Sequence, residues 1–288
     1  MPELTIGIIR DWIDGTEGRW FLAKEIDNDL DIRTPKGKSA RRVILHRLLQ
    51  EKILERDRYQ QGKYKLLDQN LAELDFKCAD PSKFFLIDIP FNLHDYVLLY
   101  PQNIACIAGS PDSGKTAFLL NLVKLNLDKF YEIYYFTSEL SPEELNLRLS
   151  KFRDMNIEDW NFHAIERSSN LVEVIQPDAL NIIDYFEFAS GIEFYQIADI
   201  FRQIVDKLKS GICWVALQKK RGAELGRGAE FGLEKPRLYL TIENGKLKIE
   251  KGKTWAMPGQ NPTGKAFSFK LVGGAEFVDI QEINDNKR

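Results

Sequence analysis

The stretch Gly109-Ser-Pro-Asp-Ser-Gly-Lys115-Thr116 decides the fold of most of this chain. It fits the pattern G-x-x-x-x-G-K-[ST] at every fixed position. The apolar run 103–108 before it predicts a buried strand, and residues 117–127 after it predict a helix. In this order the glycines let backbone N–H groups face a phosphate, and the helix N-terminus adds the positive end of its dipole. The stretch therefore predicts a nucleoside triphosphate site.

We call these eight residues the phosphate loop, and they have separate expected roles. Lys115 is expected to reach the β- and γ-phosphates, and the Thr116 hydroxyl to hold Mg²⁺. The residues expected to cradle the nucleotide are Gly109, Ser110, Pro111, Asp112, Ser113, Gly114, Lys115 and Thr116. The alternative is a chance match in a glycine turn, and the strand and helix patterns on either side argue against it. The expected ligands are ATP and Mg²⁺.

The overall composition is typical of a soluble globular protein. The chain has 288 residues, 44% of them apolar and 29% charged, which leaves room for one large and one small domain. No apolar run approaches the roughly 20 residues of a membrane span, and the N-terminus lacks a signal-peptide pattern. The three cysteines are unclustered and show no zinc spacing. We therefore predict a cytoplasmic protein with no membrane contact.

The charge is unevenly distributed along the chain. The net charge is −3, yet residues 33–65 contain eleven Lys or Arg against three Asp or Glu, a local charge of +8. A basic block on an otherwise acidic chain predicts a site for a polyanion.

Residues 1–67 are predicted to form three helices followed by a hairpin. The helices are expected at 4–13, 23–29 and about 39–51, and the strands at 53–58 and 63–67. This arrangement resembles a winged helix-turn-helix domain, in which the third helix enters the major groove and the hairpin touches backbone. The residues expected to contact DNA are Lys38, Arg41, Arg42, His46, Arg58 and Lys63. A winged helix that binds a protein partner instead remains an open alternative.

Residues 101–288 are predicted to form an α/β domain with a mainly parallel sheet and C-terminal β-hairpins. The segment 68–100 is expected to connect the two domains and to pack on the second. Apolar strands are predicted at 132–137, 161–166, 179–183 and 212–217, alternating with helices. A ligand of such a sheet lies at the carboxyl ends of the strands. Three polar residues fall at such ends, namely Glu139, Asp184 and Gln218.

These three residues have the chemistry that triphosphate hydrolysis needs. Asp184 can hold the Mg²⁺ hydration shell beside Thr116. Residue 185 is Tyr, so the base that activates water must come from elsewhere, and Glu139 is the best-placed carboxylate. Gln218 could hydrogen-bond the γ-phosphate or the water and respond to hydrolysis. Taken singly, Glu139 can equally be a solvated strand end and Gln218 a loop residue; their common position favours the catalytic interpretation.

Over about residues 90–277 the chain resembles the RecA-like P-loop ATPases, most closely the ATPase domain of DnaB-type replicative helicases. The matching residues are Gly109–Thr116, Phe136-Thr-Ser-Glu-Leu140, Glu144, Leu145, Arg148, Ile182-Ile-Asp-Tyr185 and Ala216-Leu-Gln218. The resemblance implies ATP hydrolysis at subunit interfaces of a ring or filament. It also implies that Glu139 is the catalytic glutamate and Gln218 the sensing glutamine.

The resemblance further implies a Lys-x-Arg pair that reaches into the site of the neighbouring subunit. The candidate is Lys251-Gly-Lys253, in which lysine replaces the arginine and lacks its planar fork. Arg221 and Arg227 are the other candidates. They open a tandem near-repeat over residues 221–232 that could line a nucleic-acid channel or, equally, be a surface loop or contact the next subunit.

The sequence therefore predicts a DNA-binding, oligomeric ATPase, possible in two classes. The first is a helicase-like or translocating motor that hydrolyses ATP with Mg²⁺. The second is an ATP-switched regulator, loader or mobile-element or defence protein that binds DNA without unwinding it. A small-molecule kinase with the same phosphate loop is a third option, against which the Ser138-Glu139-Leu140 and Asp184-Tyr185 pairing argues.

Overall fold

The computed structural model describes residues 4–16, 18–67, 73–129, 131–186, 196–220, 223, 225–226 and 229–284. The chain divides into two units, Met1–Ala79 and Asp80–Arg288, which we call the N-terminal and C-terminal units. The division falls inside the segment 68–100 that the sequence predicts to connect two domains. No helix in the described ranges has both the length and the apolar character that a membrane crossing requires.

The N-terminal unit contains three helices and a three-stranded antiparallel sheet. Its elements are α1 (Ile6–Asp14), β1 (Phe21–Leu22), α2 (Ala23–Asp29), α3 (Pro35–Gln50), β2 (Leu54–Arg56) and β3 (Lys63–Leu66). The helices and the β2–β3 hairpin follow the predicted order. The short strand β1 was not predicted; it pairs with β3, so the sheet order is β1-β3-β2.

Capping explains where α3 begins. The Thr34 hydroxyl accepts a hydrogen bond from the Gly37 N–H, and Pro35 occupies the first helical position. Both features favour a helix start, so α3 begins four residues before the predicted position of about 39. Its apolar side packs Leu45 and Leu48 into the core of the unit. The opposite side of the helix is exposed to solvent.

The C-terminal unit contains a nine-stranded sheet and five α-helices among its described residues. The strands are β4 (Ile104–Gly109), β5 (Ile133–Thr137), β6 (His163–Glu166), β7 (Leu180–Asp184), β8 (Ile212–Gln218), β9 (Leu238–Glu243), β10 (Lys246–Gly252), β11 (Ala266–Val272) and β12 (Glu276–Ile283). The helices are α4 (Lys115–Lys124), α5 (Pro142–Leu149), α6 (Leu171–Val174), α7 (Gln196–Lys207) and α8 (Ala229–Glu234). The predicted start of α7, at 192, lies outside the described residues.

The strand order is β12-β11-β10-β9-β4-β8-β7-β5-β6. The six strands from β9 to β6 are parallel, and β9 to β12 form consecutive antiparallel pairs. The predicted α/β class, with a mainly parallel sheet and C-terminal hairpins, is therefore confirmed. The order also places β8 between β4 and β7, so the phosphate loop and Asp184 follow strands that are not adjacent.

Both faces of the central sheet are covered. All six residues of β4 are buried. Ile107 packs in one core with Phe118 of α4, and Cys106 packs in a second core with Phe201 of α7. Alternate residues of a strand point to opposite faces, so a continuous apolar run is what a strand with two covered faces requires.

Candidate nucleotide site

The phosphate loop links the end of β4 to the start of α4, and its two fixed glycines have separate physical reasons. A Cβ on Gly109 would lie 2.2 Å from the Ser113 Oγ and 2.7 Å from the Ile242 carbonyl oxygen. Gly114 has a φ of +102°, a conformation that strains residues with a side chain. The loop can therefore close tightly only with glycine at these two positions.

The inside of the loop is suited to an anion. The residue before α4 is Gly114, which has no side chain to cap the first N–H groups of the helix. The Ser113 hydroxyl is buried and has no hydrogen-bond partner within the described part of the chain. Because a buried unpaired hydroxyl is costly, the loop fits a ligand that accepts hydrogen bonds. Phosphate oxygens meet that requirement.

Lys115 extends along the same loop. Its ammonium donates to the carbonyl oxygens of Gly109 (3.1 Å) and Ser110 (2.9 Å). Burial lowers the pKa of the Lys115 amine, while the nearby carboxylates of Asp184 and Glu139 act to raise it. The ammonium thus lies between the loop and the acidic side of the site, where a triphosphate would need a positive charge.

Asp184 ends β7 and is almost completely buried. Its carboxylate accepts hydrogen bonds from the Tyr135 hydroxyl, at 2.5 Å, and from the Thr116 hydroxyl. Burial raises the pKa of Asp184, and these two hydrogen bonds act in the opposite direction. The two predicted Mg²⁺ ligands are therefore in contact. A carboxylate and a hydroxyl beside a phosphate loop fit Mg²⁺, which binds few protein oxygens and keeps phosphate and water ligands.

One cleft of about 360 Å³ brings the predicted site residues together. It is lined by Pro111, Asp112, Ser113, Gly114, Lys115, Thr116, Ala117, Glu139, Arg148, Asp184, Tyr185, Gln218, Leu271 and Gly274. The strand order explains the convergence, because β4, β8, β7 and β5 are consecutive neighbours and their carboxyl ends share one edge of the sheet. Glu139, Asp184 and Gln218 follow or end three of these strands.

The C-terminal unit is a RecA-like P-loop core. Its identification rests on the phosphate loop at the end of β4 and on the sheet order, as predicted from the sequence. No protein-family model matches the chain, and no curated protein matches its sequence.

Two solved structures are similar to the chain. One is the ATPase domain of a DnaB helicase, which is 18% identical with a TM-score of 0.46; the match covers 63% of this chain and 86% of that one. The other is the RadB recombinase, which is 15% identical with a TM-score of 0.44; the match covers 60% of this chain and 88% of that one.

The turn after β5 positions Glu139 in the RecA-like core. The Thr137 hydroxyl accepts hydrogen bonds from the N–H groups of Glu139 and Leu140, both at 3.3 Å. The predicted capping box at the start of α5 is present: Ser141 and Glu144 bond each other's backbone N–H groups. The backbone on both sides of Glu139 is therefore held, and its exposed side chain lines the cleft.

The predicted trans-acting residues have different surroundings. The Lys251 ammonium donates to the carbonyl oxygens of Leu233 and Glu234, the last two residues of α8. Burial lowers the pKa of Lys251 to about 8, with Lys253 adding to the effect. A cation at a helix C-terminus is a stabilising arrangement, so Lys251 has a role within its own subunit. Lys253 is exposed. Arg221 and Arg227 lie outside the described residues.

The predicted DNA contacts of the N-terminal unit also divide into groups. Lys38, Arg42, His46 and Arg58 are exposed. Lys63 is half-buried; its ammonium is 3.7 Å from a carboxylate oxygen of Asp57 and lies over the ring of Trp20.

Arg41 differs from the other predicted DNA contacts. Its Nε lies 3.0 Å from the Asp27 carboxylate, and the two side chains are only 13% and 12% exposed. A buried ion pair between α3 and α2 is a structural role. The prediction that Arg41 faces DNA is therefore corrected.

The sequence interpretation missed two sets of residues around the cleft. Tyr135, on β5, binds Asp184, and Arg148 was noted only as part of the resemblance although it lines the cleft. Lys219 and Glu243 form an ion pair next to the phosphate loop. A charged residue directly after Gln218 was a signal for the second set, whereas Glu243 had been interpreted only as part of a hairpin turn.

Proposed function

We propose that the C-terminal unit binds ATP with Mg²⁺ and hydrolyses it. The observation that carries this proposal is the convergence of the phosphate loop, Glu139, Asp184 and Gln218 on one cleft. A loop suited to an anion, a buried carboxylate in contact with a hydroxyl and an exposed carboxylate opposite them are the parts that phosphoryl transfer to water requires.

Each residue then has a defined task. The loop N–H groups, the Ser113 hydroxyl and the Lys115 ammonium bind the phosphates. Thr116 and Asp184 would hold Mg²⁺, which neutralises charge on the phosphates when bound. Glu139 orients the attacking water and holds its proton. Gln218 donates a hydrogen bond to the γ-phosphate or to the water and loses that partner after hydrolysis.

The proposal is tested by phosphate release from ATP with the full chain and its Asp184→Asn variant. We expect saturable release that stops when Mg²⁺ is chelated and is lost in Asp184→Asn. The matched control is Asp154→Asn, because Asp154 forms an exposed ion pair with Lys124 outside the cleft. Phosphate release from the wild type that is indifferent to Mg²⁺ would contradict the assignment of Asp184.

We propose that the N-terminal unit is a winged helix that binds DNA through one side of α3. The proposal is supported by the exposed Lys38, Arg42 and His46 on α3 and by Arg58 before β3. A duplex titrated at several salt concentrations tests it. Binding that weakens with salt, with a slope of about one per phosphate contact, supports DNA. No binding at low salt favours the alternative of a protein partner.

We propose that the active form is a ring or filament of this chain, with Lys253 as the exposed candidate for a trans-acting residue. Mass photometry with and without ATP and DNA tests the assembly, and a monomer under all conditions would overturn it. The second candidate function is an ATP-switched DNA-binding regulator. ATP-dependent assembly without strand displacement or translocation would favour it over a motor.

A further inference from the structure

Three strand ends meet behind the phosphate loop, on the side away from Asp184. Gly109 of β4 is in register with Gln218 of β8 and with Ile242 of β9. The next residue on each strand is Ser110, Lys219 and Glu243, respectively. These three residues are therefore neighbours because of the sheet register, although they are far apart in sequence.

Their side chains form a continuous set of contacts. The Lys219 ammonium lies 2.7 Å from the Glu243 carboxylate, and the Ser110 hydroxyl donates to the same carboxylate at 2.7 Å. The Lys219 side chain is only 7% exposed. Hydrogen bonds to ionised groups are stronger than those between neutral groups, so Glu243 holds the second residue of the phosphate loop firmly.

The backbone adds a further link to the same place. The Lys219 N–H donates to the Gly109 carbonyl oxygen at 2.9 Å. That oxygen also accepts from the Lys115 ammonium, as does the Ser110 carbonyl oxygen. The residue after Gln218 therefore fixes both carbonyl groups that receive Lys115, one through its backbone and the other through Glu243 and Ser110.

The charge of the pair also matters for a nearby triphosphate. Partial burial acts to raise the pKa of Glu243, but the hydrogen bonds from Lys219 and Ser110 outweigh it, and the net pKa lies below the ordinary value. The carboxylate is thus ionised at neutral pH. If Lys219 is removed, an uncompensated negative charge is left beside the phosphate loop, where it repels phosphates.

We propose that Lys219 and Glu243 are positioning residues that set the shape of the phosphate loop for the triphosphate and connect it to the strand that ends in Gln218. This inference rests on the proposed ATPase function. Lys219 and Glu243 are not among the described residues that line the cleft. They act through Ser110, Gly109 and Lys115 rather than on the phosphates.

The test compares steady-state ATP hydrolysis by the full chain and by Lys219→Met. We expect KM for ATP to rise roughly tenfold, with kcat within about threefold of the wild type, because the variant weakens phosphate binding more than it affects Glu139. Lys219→Arg keeps the charge and is expected to restore KM. The matched control is Lys220→Met, since Lys220 is exposed and adjacent.

A second measurement separates this inference from the proposed function. Hydrogen exchange of the amides of residues 109–116, measured without nucleotide, is expected to be faster in Lys219→Met and in Ser110→Ala than in the wild type. Wild-type exchange and wild-type KM in Lys219→Met overturn the positioning role. Faster exchange in a chain that does not hydrolyse ATP keeps the positioning role and overturns the ATPase proposal. If Lys219→Met does not fold, Ser110→Ala decides by the same two readouts.

Discussion

The nucleotide cleft and the exposed basic side of α3 are both candidate binding surfaces, yet they are built differently. The cleft takes residues from four strand ends and the phosphate loop, and it holds Asp184 and Lys115 partly or fully out of water. The basic side takes Lys38, Arg42 and His46 from one helix and leaves them exposed. Burying charge is costly unless partners offset it, so the convergence in the cleft is the stronger sign of function.

The difference also predicts how substitutions combine. Residues that bind one ligand in a shared buried site act as a unit, and their effects are far from additive. Exposed basic residues each neutralise a phosphate, and their effects add and weaken with salt. A double substitution in each region therefore compares them directly.

The largest expected effect is that of Lys115→Ala on ATP hydrolysis. Removing the cation that faces the phosphates is expected to lower kcat/KM by about 100- to 1,000-fold, measured by phosphate release. Adding Asp184→Asn is expected to lower it little further. The matched control is Lys124→Ala at the other end of α4, where the ammonium pairs with Asp154; its hydrolysis rate is expected to stay at the wild-type value. Losses that multiply in the double variant would show that the cleft does not act as a unit.

The next effect distinguishes two adjacent arginines of α3. Arg41→Ala leaves Asp27 buried without its partner, and we expect the free energy of unfolding to fall by about 2 kcal/mol. Arg42→Ala is expected to change it by less than about 0.5 kcal/mol and to reduce the salt slope of DNA binding by about one. Thermal denaturation and DNA titration of both variants provide the two measurements. Equal loss of stability in both would refute the distinction.

A smaller effect is expected from Tyr135→Phe. The change removes the hydroxyl that donates to Asp184 and leaves the ring packed in the core. Losing such an orienting hydrogen bond is expected to weaken Mg²⁺ affinity about tenfold, measured as the Mg²⁺ concentration that gives half-maximal hydrolysis. Tyr134→Phe is the matched control, because the Tyr134 hydroxyl binds the exposed Glu132. The same Mg²⁺ requirement in both variants would remove Tyr135 from the site.

The smallest effect is a pH dependence at Lys251. Its pKa is about 8 in the folded chain, below the ordinary value of 10.5. The unfolded chain therefore binds this proton more tightly, and the free energy of unfolding is expected to increase with pH between these two values. An NMR titration of the lysine side chains should show a resonance with a midpoint near pH 8 that is missing in Lys251→Met. Its persistence in that variant would contradict the assignment.

The sequence was sufficient to predict the sites that depend on local pattern. The phosphate loop follows from its spacing, and Glu139, Asp184 and Gln218 follow from their positions after apolar strands. The pairs Tyr135–Asp184 and Lys219–Glu243 could not be predicted, because they depend on which strands are neighbours. Strand patterns do not show that β7 lies beside β5 or that β4 separates β8 from β9.

Arg41 was misplaced for a related reason. Helical spacing puts it at the margin of the basic side of α3, and only the packing of α2 against α3 brings Asp27 to it. Contacts between elements that are distant in sequence thus decided the errors, whereas the bounds of most strands and helices were predicted within a few residues.

The central claim is that the cleft hydrolyses ATP with Glu139 as the group that takes the proton from water. The most direct test is the rate of phosphate release by Glu139→Gln and by the wild-type full chain at saturating ATP and Mg²⁺, with nucleotide affinity measured on the same samples. We predict a rate about 100- to 10,000-fold lower in the variant, with ATP affinity within about threefold of the wild type. An unchanged rate in Glu139→Gln would contradict the claim.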